Sequence, residues 1–283
     1  MANQNEILLS VCDYNLAATL DSGQVFRWQR VGDSWQGVVG THFVTLTQTP
    51  GGIQARTAAP VTDWNWLRHF LQTEIDLGAI LKSFPDDAPM RQAVAACRGL
   101  RLLRQEPWDC LASFILSSTK QIAQIRQIVA LLCQRFGEPC AGAAEARMFP
   151  APERLAAVTE EDLRACKMGF RAKGLLAAAR AIAQGRLDLE SLRRGNCAAA
   201  RDELMKLHGV GGKIADCVLL FAYGFDRAFP VDVWVARGLQ ELYFPRRRAS
   251  DRRLRQFAAT HFGPHAGYAQ QYLFHYMRTR GRR

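Results

Sequence analysis

The stretch Leu204-Met205-Lys206-Leu207-His208-Gly209-Val210-Gly211-Gly212-Lys213-Ile214-Ala215-Asp216-Cys217 limits what this chain can fold into more than any other. An apolar helical pattern stops at Leu207, three glycines follow, and a second helical pattern begins at about Gly212. Two helices joined by a tight turn satisfy both patterns. The glycines permit positive φ and let backbone approach a ligand closely. The amides of the turn and of the next helix's N-terminus form a ready anion site, suited to one nucleic-acid phosphate gripped at Gly209, Gly211 and Ile214. A plain αα-hairpin capped by glycine explains the same three residues, and the glycines alone do not separate the two readings.

Lys213 falls in the first turn of the second helix, where a cation is disfavoured by the helix dipole. Broken local rules gather at functional sites. An electropositive, partly desolvated position makes a lysine amine nucleophilic; contact with a phosphate or with solvent is the plainer alternative. Nineteen residues on comes Phe229-Pro230-Val231-Asp232-Val233-Trp234. Asp232 follows an extended Pro-Val and precedes a helical pattern, so it reads as an N-cap. Facing Lys213, it could also take the lysine's proton or stabilise positive charge on a sugar.

Around this hairpin the hydrophobic period changes once. Gln24–Arg30, Trp35–Val39 and Phe43–Gln48 alternate apolar and polar between Gly-Asp and Pro-Gly-Gly turn signals, which predicts an antiparallel meander. From Asp63 onward the spacing is three and four. It predicts helices near 64–71, 77–81, 90–97, 107–118, 120–136, 160–167, 171–185, 199–208, 212–223, 232–242, 251–262 and 266–279. The fold class expected is α+β: an N-terminal antiparallel twisted β-sheet domain with flanking helices over 1–97, then an all-α helix-hairpin-helix domain over 98–283.

Composition narrows the partner. Thirty-seven Lys and Arg against 26 Asp and Glu leave a net charge of +11, which favours a polyanion. The stretches Arg246–Arg253 and Arg278–Arg283 concentrate that charge, as a solvated loop and tail or as auxiliary phosphate contacts. No apolar run is long enough to span a membrane, and Met1–Glu6 does not read as a secretory signal. The eight cysteines form no C-x-x-C pair and read as small buried thiols of a reducing, cytoplasmic compartment. No metal or cofactor is expected: paired zinc-ligand spacings are missing, and no cysteine follows Cys217 to hold a C-terminal iron–sulfur cluster.

The hairpin and Phe229–Val233, with D-S-G-Q-V-F-R-W at 21–28, the segment 102–118 and A-G-Y-A-Q-Q-Y-L-F at 266–274, together resemble the 8-oxoguanine DNA glycosylase branch of the helix-hairpin-helix (HhH-GPD) superfamily. The resemblance runs over nearly the whole chain, in order. It implies a monomeric base-excision repair enzyme that flips a damaged nucleotide out of double-stranded DNA into a pocket between two domains. Lys213 matches the lysine that attacks C1′ and forms a Schiff base, with strand nicking by β-elimination; Asp232 matches its assisting aspartate. Gly23 matches a glycine whose carbonyl meets N7–H of 8-oxoguanine, a donor that guanine lacks. Formamidopyrimidine purines share that donor. Gln270 matches a glutamine on the Watson–Crick edge, Phe274 and Cys217 match the faces sandwiching the base, and Phe221 is counted with them.

The side reading the opposite base departs from the family's eukaryotic pattern. Thr119 stands where that pattern has its first asparagine and Gln124 where it has its first arginine, while Phe170-Arg171 replaces Tyr-Arg. One cytosine-reading arginine is kept and one is gone, so selectivity for the opposite base is expected to be relaxed. Trp234 replaces a histidine, with no consequence that can be derived. Two other readings compete: an alkylated-base glycosylase of the same superfamily, which lacks the hairpin lysine, and a DNA-binding module without chemistry.

Overall fold

The computed structural model describes residues 4–246 and 248–280. Met1-Ala2-Asn3, Arg247 of the basic loop and residues 281–283 of the basic tail lie outside the described residues.

The expected α+β organisation is present, with an antiparallel five-stranded sheet followed by helices. The strands are β1 (Gln4–Ser10), β2 (Gln29–Val31), β3 (Ser34–Val39), β4 (His42–Thr49) and β5 (Gly52–Val61), ordered β1-β5-β4-β3-β2. Alternate residues Trp35 and Gly37, Val44 and Leu46, and Ile53, Ala55 and Thr57 point inward. Gly37 makes room for the buried indole of Trp28: a Cβ there would lie 2.5 Å from the ring. Two expectations fail in this region. β1 falls within the N-terminal region expected to be β although outside its three alternating runs, and β5 forms where no strand was read, because its Ala and Pro residues hide a real alternation. Gln24–Trp28 is not strand; only Gln29–Val31 pairs. Gln24 is anchored there by its own side chain, whose Nε2 donates to the carbonyls of Thr19 and Arg101 while Leu103 N donates to its Oε1.

α1 (Leu16–Asp21) crosses between β1 and β2, capped by Asn15. Then come α2 (Asn65–Leu71), α3 (Leu77–Lys82), α4 (Ala88–Ala96), α5 (Pro107–Leu116) and α6 (Ile122–Phe136). A short hairpin of β6 (Pro139–Cys140) and β7 (Ala143–Arg147) precedes α7 (Pro152–Ala156) and α8 (Glu160–Leu163). The rest is α9 (Arg171–Ala183), α10 (Leu189–Leu192), α11 (Cys197–Met205), α12 (Gly212–Val218), α13 (Val233–Tyr243), α14 (Asp251–His261) and α15 (Ala266–Arg280). The helix expected over 212–223 is α-helical only to Val218 and widens into a π turn over Leu219–Tyr223. The one expected over 160–167 likewise gives way to a kinked turn, with Lys167 at φ +63°.

Two apolar cores result. The smaller joins the sheet to α1 and α2 through Leu9, Leu20, Trp28, Leu46, Leu67 and Phe70. The larger fills the helical part, and Leu77, Ile80, Met90, Ala93 and Cys97 belong to it, so α3 and α4 pack with the helices that follow rather than with the sheet. Arg101 ties the cores together. The residue is 3% exposed, and its guanidinium donates to the carbonyls of Cys12, Gln72 and Ile75 at 3.2, 3.3 and 2.5 Å. Three carbonyl dipoles stand in for water around a buried cation. No described helix is long and apolar enough to cross a membrane. Six of the eight thiols are buried, Cys197 is half-buried and Cys12 exposed.

Candidate active site

Seven sequence-selected residues line one cavity. Gly23, Lys213, Cys217, Phe221, Asp232, Gln270 and Phe274 enclose it together with Phe114, Pro230 and Gln271. They come from five parts of the chain: the turn after α1, helices α5, α12 with its π turn, the start of α13, and α15. The cavity holds about 40 Å³. That is room for a few waters, against roughly 300 Å³ or more in pockets that enclose a ligand. A flipped purine therefore needs its walls to part, and Phe274 is the aromatic wall residue that is half-buried, packed at the edge of the larger core, whereas Phe114 and Phe221 are buried within it.

Lys213 is the second residue of α12, whose N-cap is Gly211. Its Nζ lies 3.2 Å from Ser117 Oγ and 5.0 Å from the centroid of the Phe114 ring. Phe114 in turn stacks on Phe221 at 5.5 Å and 14°. The amine thus sits against an aromatic floor at the positive end of a helix, with a hydroxyl as its hydrogen-bond partner. Cys217, one helical turn on, is 3% exposed, and burial pushes its thiol up to about 12 although Lys213 draws it down. It stays a neutral, polarisable surface. Asp232 is indeed the N-cap of α13, its Oδ1 accepting from Val235 N at 2.8 Å. Burial raises its carboxyl above the ordinary range, opposed by that N–H and by the charge of Lys213. The N-cap bond thus holds the Asp232 carboxyl on the wall of the cavity that Lys213 also lines.

The opposite wall is built to hold its shape. Gly23 has φ +79°, and a Cβ there would lie 2.7 Å from Ile122 Cδ1 and 3.2 Å from the Phe274 ring. Both neighbours of Gly23 are tied down. Gln271 Nε2 donates to Ser22 O at 2.9 Å, and Gln105 Nε2 donates to Gln24 O at 2.7 Å. Asp21 bridges Arg126 and Arg278. Next to this turn, Gln270 is 4% exposed and its Oε1 is buried without a hydrogen-bond partner. An unpaired buried acceptor costs about 1–3 kcal/mol, so the cavity carries a standing demand for a donor.

At the hairpin, Gly209 has φ +82°. A Cβ on Gly211 would meet nothing within 4 Å. Packing within the protein therefore does not require glycine at 211. Ile214 is buried, so only its amide is available there.

The residues assigned to the opposite base lie together, apart from Gln124. Thr119 is exposed with φ +54°. Arg171, only 5% exposed, donates through Nε to Ser118 O at 2.7 Å, through Nη1 to Met168 O at 3.1 Å, and through Nη2 to Thr119 Oγ1. Its guanidinium lies over the ring of Phe170, which is 65% exposed. The side chain of Gln124 instead caps its own helix, Oε1 accepting from Gln121 N at 3.1 Å. Sequence reasoning gave no role to Phe114, Ser117, Pro230 or Gln271. Phe114 is one of nine buried residues on an apolar helix, where no periodicity separates a cavity wall from core. Among the described residues no three His, Cys, Asp or Glu side chains gather as a metal site.

A lysine and a largely buried carboxylate on one small cavity, beside a glycine hairpin that joins two helices, are the arrangement expected of a base-excision glycosylase. Comparison with known proteins agrees. Residues 6–111 match the N-terminal domain of 8-oxoguanine DNA glycosylase, and residues 112–263 match the HhH-GPD superfamily of base excision DNA repair proteins. The N-glycosylase/DNA lyase OGG1 of Arabidopsis thaliana is 31% identical over 94% of this chain and 78% of its own length. MBOgg1, solved with a low-affinity DNA ligand, superposes with a TM-score of 0.94 at 33% identity, over 99% of this chain and 98% of that one. The 8-oxoguanine glycosylase/lyase of Clostridium acetobutylicum, solved with double-stranded DNA containing cytosine opposite 8-oxoG, superposes with a TM-score of 0.90 at 30% identity, over 99% of this chain and 100% of that one. The chain belongs to the 8-oxoguanine DNA glycosylase branch of the HhH-GPD superfamily, a family of DNA N-glycosylases with lyase activity.

Proposed function

We propose that this protein everts 8-oxoguanine from duplex DNA and cleaves its glycosidic bond by attack of Lys213. The unpartnered Oε1 of Gln270, buried beside Gly23 and facing the same cavity as Lys213 and Asp232, carries this reading. The Watson–Crick edge of a guanine derivative offers N–H donors to that oxygen. The Gly23 carbonyl accepts from N7–H of the lesion, which an unmodified guanine cannot supply. Phe274 and the Cys217–Phe221 side clasp the two faces. The Nζ lone pair of Lys213 then bonds to C1′ as the C1′–N9 bond breaks and its electrons leave with the base. Asp232 receives the amine proton or balances the cationic sugar. Loss of a further proton and opening of the sugar leave a Schiff base, from which β-elimination nicks the strand. Gly209, Gly211 and Ile214 hold a backbone phosphate through amides. Formamidopyrimidine purines, with the same donor, are substrates too. The enzyme acts as a cytoplasmic monomer without metal or cofactor.

The test is a duplex with one 8-oxoguanine, scored for base release, nicking and borohydride trapping. A trapped adduct that Lys213→Gln abolishes is the expected result. Base release without any trapped adduct would favour a water-using glycosylase of the same superfamily, and binding without release a non-catalytic module.

Opposite-base selectivity is relaxed in this reading. Gln124 is engaged at a helix cap, and one arginine, Arg171, remains where the eukaryotic pattern has two. Excision rates opposite cytosine, adenine, guanine and thymine are expected to lie close together; much faster excision opposite cytosine than opposite the other three would refute it.

A further inference from the structure

We propose that the DNA-backbone surface continues from the hairpin onto α14, through Arg255 and Arg252. The inference rests on the hairpin reading above. Its observation is a juxtaposition that the sequence does not show. A Cβ on Gly212 would lie 2.3 Å from Arg201 Nη2 and 3.7 Å from Arg255 Nη1. Two guanidinium groups thus reach the hairpin where its amides open to solvent, one from α11 and one from α14, which is more than forty residues further along the chain.

The two arginines differ in what else they do. Arg201 Nε is 2.7 Å from Asp216, a half-neutralised pair on the hairpin's own second helix. Arg255 is exposed and makes no ion pair within 4.0 Å among the described residues, although it draws the Asp216 carboxyl down at longer range. Arg252 lies three residues earlier, on the same helical face, also exposed and without an ion pair among the described residues. Arg253 faces elsewhere, its guanidinium 5.2 Å from the centroid of Phe244. Residues 246–255 hold six arginines and one aspartate. A charge excess of that size repels itself on a surface that meets only water, and it is relieved where a polyanion lies against it. The strip begins beside the backbone amides of Gly211 and Gly212 and runs along α14, so its partner is the sugar-phosphate strand already held by the hairpin, met without base reading.

Binding of the full-length protein to a labelled, undamaged duplex, measured from 50 to 200 mM salt, tests this. Each lost phosphate contact lowers the slope of log K against log salt by about 0.9. Arg252→Ser/Arg255→Ser is expected to lower it by about 1.8, so that across the fourfold rise in salt the wild-type protein loses ~10-fold more affinity than the variant. Arg252→Lys/Arg255→Lys keeps the slope, because a point charge suffices, and Arg253→Ser leaves it unchanged. Gly211→Val serves as the hairpin control; it has open space and a permitted φ of −93°. If Gly211→Val weakens binding while the double serine variant binds with the wild-type slope, the α14 strip is refuted and the hairpin reading stands. If neither variant changes binding, the hairpin reading falls and this inference with it.

Discussion

At the scale of single residues, the site's chemistry comes from environments rather than from identities. Asp232 is a helix cap of ordinary type, and its carboxyl is raised by burial. Activity that needs the carboxylate is then lost as pH falls through this raised value, so the acid limb of kcat/KM lies above the ordinary ~3.9 of an aspartate. Asp232→Asn keeps the cap geometry and is expected to remove that limb while lowering kcat by ~10²- to 10⁴-fold. A pH–rate profile of both proteins checks it. The same shift has a stability sign. A carboxyl with a raised folded-state pKa binds its proton more tightly when folded, so its contribution declines as pH rises through the window between the unfolded and folded values. Lys213→Gln removes the nucleophile without touching the core. Base release should fall by roughly 10³-fold or more with little change in duplex affinity, read from single-turnover cleavage beside anisotropy.

Elements place these groups. The hairpin turn depends on Gly209, whose φ of +82° an L side chain adopts only under strain. Gly209→Ala is expected to cost about 1–2 kcal/mol in thermal unfolding and to weaken DNA binding, whereas Gly211→Val, at an open position, should weaken binding with an unchanged melting temperature. The hairpin was legible because its glycines interrupt two periodic patterns. So were β3, β4 and most helices, where burial is one-sided. Other elements were not. The α12 pattern continues apolar through Tyr223, and nothing local announces the π turn that brings Phe221 against Phe114. Gln24–Trp28 alternates like a strand but is held by side-chain bonds from Gln24 to segments some eighty residues away.

For the whole molecule, the site lies where the two cores meet. Arg101 closes that junction by giving its guanidinium to three carbonyls, of Cys12, Gln72 and Ile75. Arg101→Ala removes three hydrogen bonds from a buried cation. It should lower stability by about 3 kcal/mol, at ~1 kcal/mol for each hydrogen bond lost, and slow base release through loss of order at the Gly23 turn; calorimetry and cleavage rates together report both. Opening is also a property of the whole. With about 40 Å³ among its lining residues, the cavity is smaller than a purine, so the proposed reaction requires a wall to move when DNA binds.

What the sequence determined by itself was the α+β order, the hairpin and the pair Lys213 and Asp232, since glycine turns, capping residues and periodicity are local signals; Gly23, Cys217, Phe221, Gln270 and Phe274 were implied only by the resemblance of whole motifs, in order, to a known family. Only the tertiary structure decided that Gly23, Lys213, Cys217, Phe221, Asp232, Gln270 and Phe274 share one cavity, that Phe114, Pro230 and Gln271 complete it, and that Ser117 holds the Lys213 amine. It also decided that Gln124 caps its own helix and that Arg255 lies beside Gly212. The reason is physical. A side chain's burial, its unpaired acceptor or its neighbouring charge depends on segments far off in the chain, and no local pattern carries that distance.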